Sequence, residues 1–373
     1  MSSAPDNPQA RPATQRAANQ RPIALGTRGS ALALWQTRAV LHLLSEQLPD
    51  TVFAIEEIST RGDRTQALHV PLTQLGDKSM FVAELEQALL AGELDVAVHA
   101  MGDRALVSAE RARARAAAVA NQPVVLAGGE PVAAIDAAVH SLKDLPGTLD
   151  ARLVIAAVPT RADPRDALVS RHGLRLADLP QGAVVATSSL RRRAQLLALR
   201  PDFLIRDIRG NVDTRLRKAL APDGPDAIVL AAAGLQRLGL ERHITELLPV
   251  EVMVPAVGQG ALAVETRASD MRLRRLVRAI DDPAARAAVT AERAVLAALG
   301  GGCQVPLGAH ATLAPDGQTL RLLAVVASLD GQRLVRVERE GPARRPATLG
   351  RAVARELRRG GAGDILRAIL GER

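Results

Sequence analysis

A chain of 373 residues, 47% of them hydrophobic, has material for two or three domains. No run approaches the length that spans a bilayer; the longest apolar stretch, Ala227 to Ala233, reads as a buried strand entering a helix. A single cysteine excludes an internal disulfide framework and a multi-cysteine metal site. The net charge of +8 admits nucleic acid as a partner, yet there is no tyrosine, one tryptophan and three phenylalanines. Stacking platforms for single strands are therefore missing, and no zinc-finger or basic-zipper spacing occurs.

Residues 1–21 are rich in Ala, Pro, Gln, Asn and Ser and lack an apolar signal-peptide core, so they read as a disordered tail. A soluble, cytoplasmic protein is expected. From Ile23 onward strands and helices alternate. Ile23 to Gly26 is a short strand, Thr27-Arg28-Gly29-Ser30 a turn, and Ala31 to Leu48 a helix by its apolar spacing. Val52 to Ile58 alternates as a strand does. Ser79 caps a helix reaching Leu90. Ala183–Ala186, Phe203–Asp207 and Asp226–Leu230 are strands. Helices Leu190–Leu199 and Val212–Leu220 lie between them. This is an α/β pattern, read as parallel strands. After Pro283 comes a helix to about Leu299. Strands Leu307–Leu313, Leu320–Leu329 and Arg333–Glu340 follow, then helices to the end: a smaller α+β domain.

Ligands in α/β folds bind at the carboxyl ends of strands, beside helix N-termini. The turns Thr27–Ser30, Thr187–Ser189 and Arg209–Asn211 fall there. Between Thr187 and Arg217 eight arginines stand against three aspartates, a local charge of +5. Arginine captures carboxylates through two parallel bonds, so a small polycarboxylate fits the patch as well as nucleic acid does. Arg193 and Arg200 read as surface ion-pairing residues. No phosphate-loop or dinucleotide fingerprint is present. Cys303 lies in Gly300-Gly301-Gly302-Cys303-Gln304-Val305-Pro306. Glycines leave room around its sulfur, which makes it a candidate attachment point or nucleophile, or else a small buried apolar residue. His99 and His140 end strands and read as packing or hydrogen-bonded residues. His42, His69, His172, His243 and His310 form no metal-spaced cluster.

One near-repeat occurs. Leu94 to Asp103 (LDVAVHAMGD) resembles Ile135 to Asp144 (IDAAVHSLKD) at an offset of 41 residues.

An ordered series of motifs resembles the porphobilinogen deaminase (hydroxymethylbilane synthase) family. It runs through Gly26-Thr27-Arg28-Gly29-Ser30, Thr60-Arg61-Gly62-Asp63, Phe81 to Glu86, Ala138 to Pro146, Thr187 to Arg192, Arg209 to Val212, Ala233 to Gly239, Pro255 to Gly260 and Gly301 to Pro306. The resemblance implies two lobes like those of periplasmic binding proteins, joined by two crossovers, plus a small C-terminal α+β domain. The first lobe would hold 22–159 and 261–278, with an inserted excursion at about 94–134. The second would hold 165–254, and the cysteine domain 283–373.

The resemblance further implies a dipyrromethane cofactor on Cys303. Four porphobilinogen units would be added to it head to tail with loss of ammonia, and hydroxymethylbilane released. By the same token Asp144 is the catalytic carboxylate. Cofactor contacts would come from Lys143, Ser141, Thr187, Ser188, Ser189, Arg191, Arg192 and Arg209. Substrate contacts would come from Arg28, Ser30, Phe81, Arg215, Arg237 and Gln259. No metal, nucleic acid or membrane partner is expected, and the chain would work as a monomer. Family spacing returns if 41 residues are removed between the two copies of the near-repeat. The second copy is expected to hold the catalytic strand, because it leads into Leu145-Pro146. The other readings are a two-lobed polycarboxylate-binding protein and an inactive homologue disrupted by the insertion.

Overall fold

The computed structural model describes residues 21–58, 82–91, 124–125, 131–132, 134–300 and 305–370. Two five-stranded sheets and a three-stranded one organise them. In chain order the first elements are β1 (Ile23–Arg28), α1 (Ala31–Gln47), β2 (Phe53–Ile58), a helix α2 at 83–91, and two-residue strands β3 (Val124–Val125) and β4 (Pro131–Val132). Next come β5 (Ala137–Ser141), a 3-10 turn (Leu142–Asp144) and β6 (Leu153–Ala157). The first sheet has the order β2-β1-β5-β12-β6, where β12 (Leu262–Arg267) arrives from far along the chain.

The second sheet is built from β7 (Asp166–Ser170), β8 (Val184–Ala186), β9 (Leu204–Arg206), β10 (Ala227–Ala231) and β11 (Glu246–Leu248), in the order β11-β7-β10-β8-β9. Its helices are α3 (Leu190–Leu199), α4 (Val212–Leu220) and α5 (Ala232–Arg237). The chain thus crosses between the sheets twice, once after β6 and once before β12. The sequence reading of purely parallel strands needs correcting. β12 runs antiparallel to β5 and β6, and β7 antiparallel to β10 and β11. Each sheet therefore has one reversed strand, and it is the strand that follows a crossover. Both are buried throughout, so neither shows the in–out alternation of a half-exposed strand, and their direction is read from pairing alone.

Side-chain alternation along β5 sorts the first core into two faces. Ala137 and Val139 pack with Val40 and Leu44 of α1 and with Leu273 and Val277 of α6 (Met271–Val277). Ala138 on the other face packs with Leu85 and Leu89 of α2. In the second sheet Val185 and Val229 face Leu196 of α3, while Ala186 and Ile228 face Leu216 of α4.

The C-terminal unit starts with α7 (Pro283–Leu299), whose N-cap Asp282 accepts from Ala284 and Ala285. The three antiparallel strands β13 (Leu307–Leu313), β14 (Thr319–Ala327) and β15 (Leu334–Pro342) follow, then α8 (Pro346–Arg359) and α9 (Ala362–Leu370). Val295, Val353 and Leu357 pack on Leu320, Leu322 and Ala324. The opposite face, through Leu323 and Val325, meets Val254 beside the second sheet.

The second copy of the near-repeat fills the middle of the first sheet. β5 is flanked by β1 and β12, so no slot is left beside it. The first copy lies outside the described residues, as do Ser79, Phe81 and the Cys303 loop.

Candidate functional site

The cleft begins at the carboxyl end of β5. Arg28 at the end of β1, Ser30 from the turn that follows, Gln36 from α1, Val82, Ser141 and Asp144 line one cavity. Ser30 is also the N-cap of α1, accepting from Ala33. Ser141 bonds the Gln36 amide at 2.8 Å. The sequence reading gives Gln36 no role; it stands nearly two turns after Ser30, on the helix flank that reaches Ser141 of β5. Lys143 and Asp144 are both half-buried on the 3-10 turn. Of the sequence-predicted residues, Arg28, Ser30, Ser141 and Asp144 are thus brought to one cavity.

From the second sheet, half-buried Arg215 on α4 donates to the Gly210 carbonyl at 2.6 Å. Burial, with Arg192 and Arg209 adding like charge, pulls its pKa down to about 10, while Asp144 acts in the opposite sense. Asp144 and Arg215 thus share one electrostatic neighbourhood although they belong to different sheets. Arg237, at the end of α5, is half-buried, and desolvation pulls it down to about 10 as well. No carboxylate pairs with it among the described residues. A desolvated guanidinium without an internal counter-ion is unfavourable until an anion arrives.

Other predicted residues are engaged inside the protein. Arg191 and Arg192 are 4% and 6% exposed, and both donate to Asp166, with shortest distances of 2.7 Å. Arg192 also donates to the Val229 carbonyl, whereas Arg191 keeps its Nε buried and unpartnered. Their direct capture of a bound carboxylate, expected from sequence, competes with this internal one. Burial raises the Asp166 carboxyl, but the two arginines outweigh it and hold it well below the usual carboxylate range. Gln259 is a brace in the same network, donating to Asp166 at 2.9 Å and to the Pro164 carbonyl at 2.7 Å. Thr187 accepts from the Ser189 N–H, Ser188 exchanges hydrogen bonds with the backbone of Ile208, and Ser189 caps α3. These hydroxyls shape the turn from which α3 starts. Arg200 pairs with Asp202, as the sequence reading had it, whereas Arg193 donates to the Leu329 carbonyl and to no carboxylate among the described residues.

Asp166 escaped the sequence reading. Its signal was an acid opening the apolar run Ala167-Leu168-Val169. Asp166→Ala would strand two buried guanidinium groups. A loss of about 3–5 kcal/mol is expected for breaking a buried pair from one side, measured as a lower denaturant midpoint at neutral pH. Because the folded carboxyl titrates below its unfolded counterpart, this stability is complete above about pH 4 and fades as pH falls below it. A variant as stable as the parent at neutral pH would show that the pair contributes nothing.

On the Ala138 face of β5, His140 lines the same cavity and lies 3.0 Å from Glu265 of β12, both buried. This is the hydrogen-bonded core histidine expected from sequence. Nearby Glu86 of α2 is raised from 4.5 to about 7, by burial first and then by Glu265, with His140 opposing. The folded state binds this proton more tightly than the unfolded chain does. Stability is therefore lost as pH rises from 4.5 to about 7. The melting temperature of Glu86→Gln should gain on that of the parent across this interval; a constant difference would contradict the assignment.

Helix α7 ends at Gly300, a left-handed C-cap at φ 71°. The chain is described again from Val305, which is buried. Cys303 lies in the segment between. Buried Glu292 on α7 ties this unit to the crossovers. It accepts from Arg161 at 2.6 Å and from the backbone N–H of Gly258 and Ala311. Burial raises Glu292, but Arg161 and His310 outweigh it and bring it to about 2.

Cleft and sheets together describe an α/β protein with a cationic cleft that Asp144 also lines. Two family models match the chain. The model described as "Porphobilinogen deaminase, dipyromethane cofactor binding domain" covers residues 23–124 and 132–275. The one described as "Porphobilinogen deaminase, C-terminal domain" covers 286–359. The two copies of the near-repeat fall in different segments of the first match. A porphobilinogen deaminase of Roseiflexus castenholzii is 49% identical over 335 residues, which is 90% of this chain and 95% of that one. One from Desulforudis audaxviator is 47% identical over 347 residues, 93% of this chain and 97% of that one. Among solved structures, YhfZ from Shigella flexneri has a TM-score of 0.33 at 15% identity, covering 75% of this chain and 94% of that one. The chain belongs to the porphobilinogen deaminase family.

Proposed function

We propose that this chain is a transferase that deaminates porphobilinogen and joins four units head to tail, releasing hydroxymethylbilane for tetrapyrrole synthesis. The observation that carries the reading is Asp144 lining the cavity at the carboxyl end of β5, within electrostatic reach of the desolvated Arg215 from the second sheet. The family's dipyrromethane cofactor, held by a thioether to Cys303, supplies the pyrrole end to which the first unit is joined. Its acetate and propionate groups suit this cleft, because Arg215 and Arg237 are desolvated and Arg237 has no acid partner among the described residues.

The residues divide the work. Arg28, Arg209, Arg215, Arg237 and Lys143 bind carboxylates of cofactor and substrate, with Ser30 and Ser141 adding neutral hydrogen bonds. Arg191 and Arg192 support the cationic wall while Asp166 and Gln259 hold them in place. Thr187, Ser188 and Ser189 fix the turn that presents α3. Phe81 offers a ring for stacking. In each condensation the aminomethyl C–N bond of porphobilinogen breaks and the nitrogen leaves as ammonia, taking a proton. The methylene carbon, briefly cationic, bonds the free α-carbon of the acceptor pyrrole, which then releases its proton. Asp144 stabilises the cation and handles protons at the pyrrole nitrogens and the leaving amine.

The two sheets would act as lobes in the manner of binding proteins, with 22–159 and 261–278 forming one, 165–254 the other, and 283–373 the cysteine domain. The pair of crossovers supports that division. A monomer working in the cytoplasm on a small molecule accompanies the reading; no helix among the described residues is long and apolar enough to cross a membrane. Intact-protein mass tests the whole. The purified chain should be heavier than its sequence by one dipyrromethane and should consume porphobilinogen. A chain at its bare sequence mass that binds polycarboxylates without turnover would support anion capture instead.

A further inference from the structure

Helices α1 and α5 belong to different sheets and touch along one turn of each. Leu32 of α1 lies 3.9 Å from where a Cβ on Gly234 would stand. Three residues further along both helices, Arg237 lies over the ring of Trp35, 5.7 Å from guanidinium carbon to centroid. Residues three apart share a helix face, so these two contacts form one seam. Trp35 is 41% exposed, an unusual place for the chain's sole tryptophan unless its ring face is in use.

The other side of the guanidinium is fixed as well. Arg237 donates to the Gly260 carbonyl at 2.7 Å. That carbonyl also accepts from the Ala162 N–H at 3.2 Å. Ala162 lies on the first crossover and Gly260 on the second. Gly260 has φ 86°, and a Cβ there would come within 2.5 Å of the Ala162 oxygen. Arg237 is therefore held between the junction of both crossovers and a ring from the first sheet's helix. The next residue on that helix, Gln36, bonds Ser141 in the cleft.

We propose that Trp35 is a positioning residue for Arg237: its ring face holds the guanidinium at the crossover junction and so sets the approach of α1 to α5 across the cleft. The inference rests on the carboxylate-binding reading of Arg237. A ring face can hold a cation without consuming its hydrogen-bond donors. The donors not given to Gly260 stay available to a carboxylate, and burial of the group without an acid partner favours that use.

Steady-state kinetics on adduct-loaded enzyme, together with fluorescence of the single tryptophan, test the proposal. Trp35→Leu should raise the KM for porphobilinogen roughly three- to tenfold, the range that a partly desolvated cation–π contact supports, with kcat unchanged. Trp35→Phe should restore most of the loss. Arg237→Leu should raise KM and make Trp35 more accessible to acrylamide quenching. If Arg237→Leu impairs KM while Trp35→Leu does not, or if Phe is as poor as Leu, the positioning role is overturned and the reading of Arg237 stands. If Arg237→Leu has a normal KM, that reading falls and the proposal falls with it. Should Trp35→Leu fail to fold by circular dichroism, the Trp35→Phe kinetics and the quenching of Arg237→Leu decide it: unchanged quenching overturns the proposal.

Discussion

Cys303→Ser is expected to lose both the added mass of the cofactor and all measurable turnover. Serine has nearly the shape of cysteine, so the fold should survive, and an unchanged melting temperature checks this. The chemistry should not survive. A thiol reaches its nucleophilic anion near neutral pH, whereas an alcohol stays protonated and reacts far more slowly. The described residues on either side are fixed: Gly300 closes α7 at φ 71°, and Val305 is buried. Intact mass and porphobilinogen consumption are measured on the same preparation. A serine variant without adduct that turns over normally would remove Cys303 from the mechanism.

Asp144→Asn is expected to lower turnover by roughly 10²–10³-fold, the usual cost of removing a group aimed at developing charge. The geometry supports a catalytic use over a structural one. Asp144 ends a 3-10 turn and is half-buried among groups lining the cleft. The amide keeps the shape and removes only the negative charge that the proposed mechanism sets against the cationic carbon. That charge acts more strongly in a water-poor cleft than in bulk solvent. Asp103→Ala supplies the comparison, since Asp103 ends the first copy of the near-repeat; its effect should be small. Cofactor mass is measured on both variants, so that failed loading is told apart from failed chemistry. An essential Asp103 with a dispensable Asp144 would reverse the assignment of the two copies.

Much of this was legible in the sequence. Helices α3 and α4 and strand β13 fall on the residues that their apolar spacing predicts. The turns before α1, α3 and α4 carry the polar residues that now line or shape the cleft. Local spacing carries such information because a helix or strand has a fixed period and must bury one face. The near-repeat was legible as a conflict between two copies for one strand. The structure places Ala137–Ser141 there, with β1 and β12 on either side.

What the sequence by itself determined was part of the order of elements, the location of positive charge and the one thiol; β6, β7, β11 and β12 were not read from it. What only the tertiary structure decided was which charges face each other. Arg191 and Arg192 look like free ligands beside Thr187-Ser188-Ser189, yet they meet Asp166 some 25 residues earlier in the chain. Asp144 and Arg215 lie far apart in sequence and come from different sheets. Trp35 and Arg237 meet only because the chain crosses between those sheets twice. Strands β7 and β12 were hidden for a related reason. Both are buried along their whole length and β12 carries Glu265, Thr266 and Arg267 inside, so only pairing with neighbouring strands reveals their place and direction.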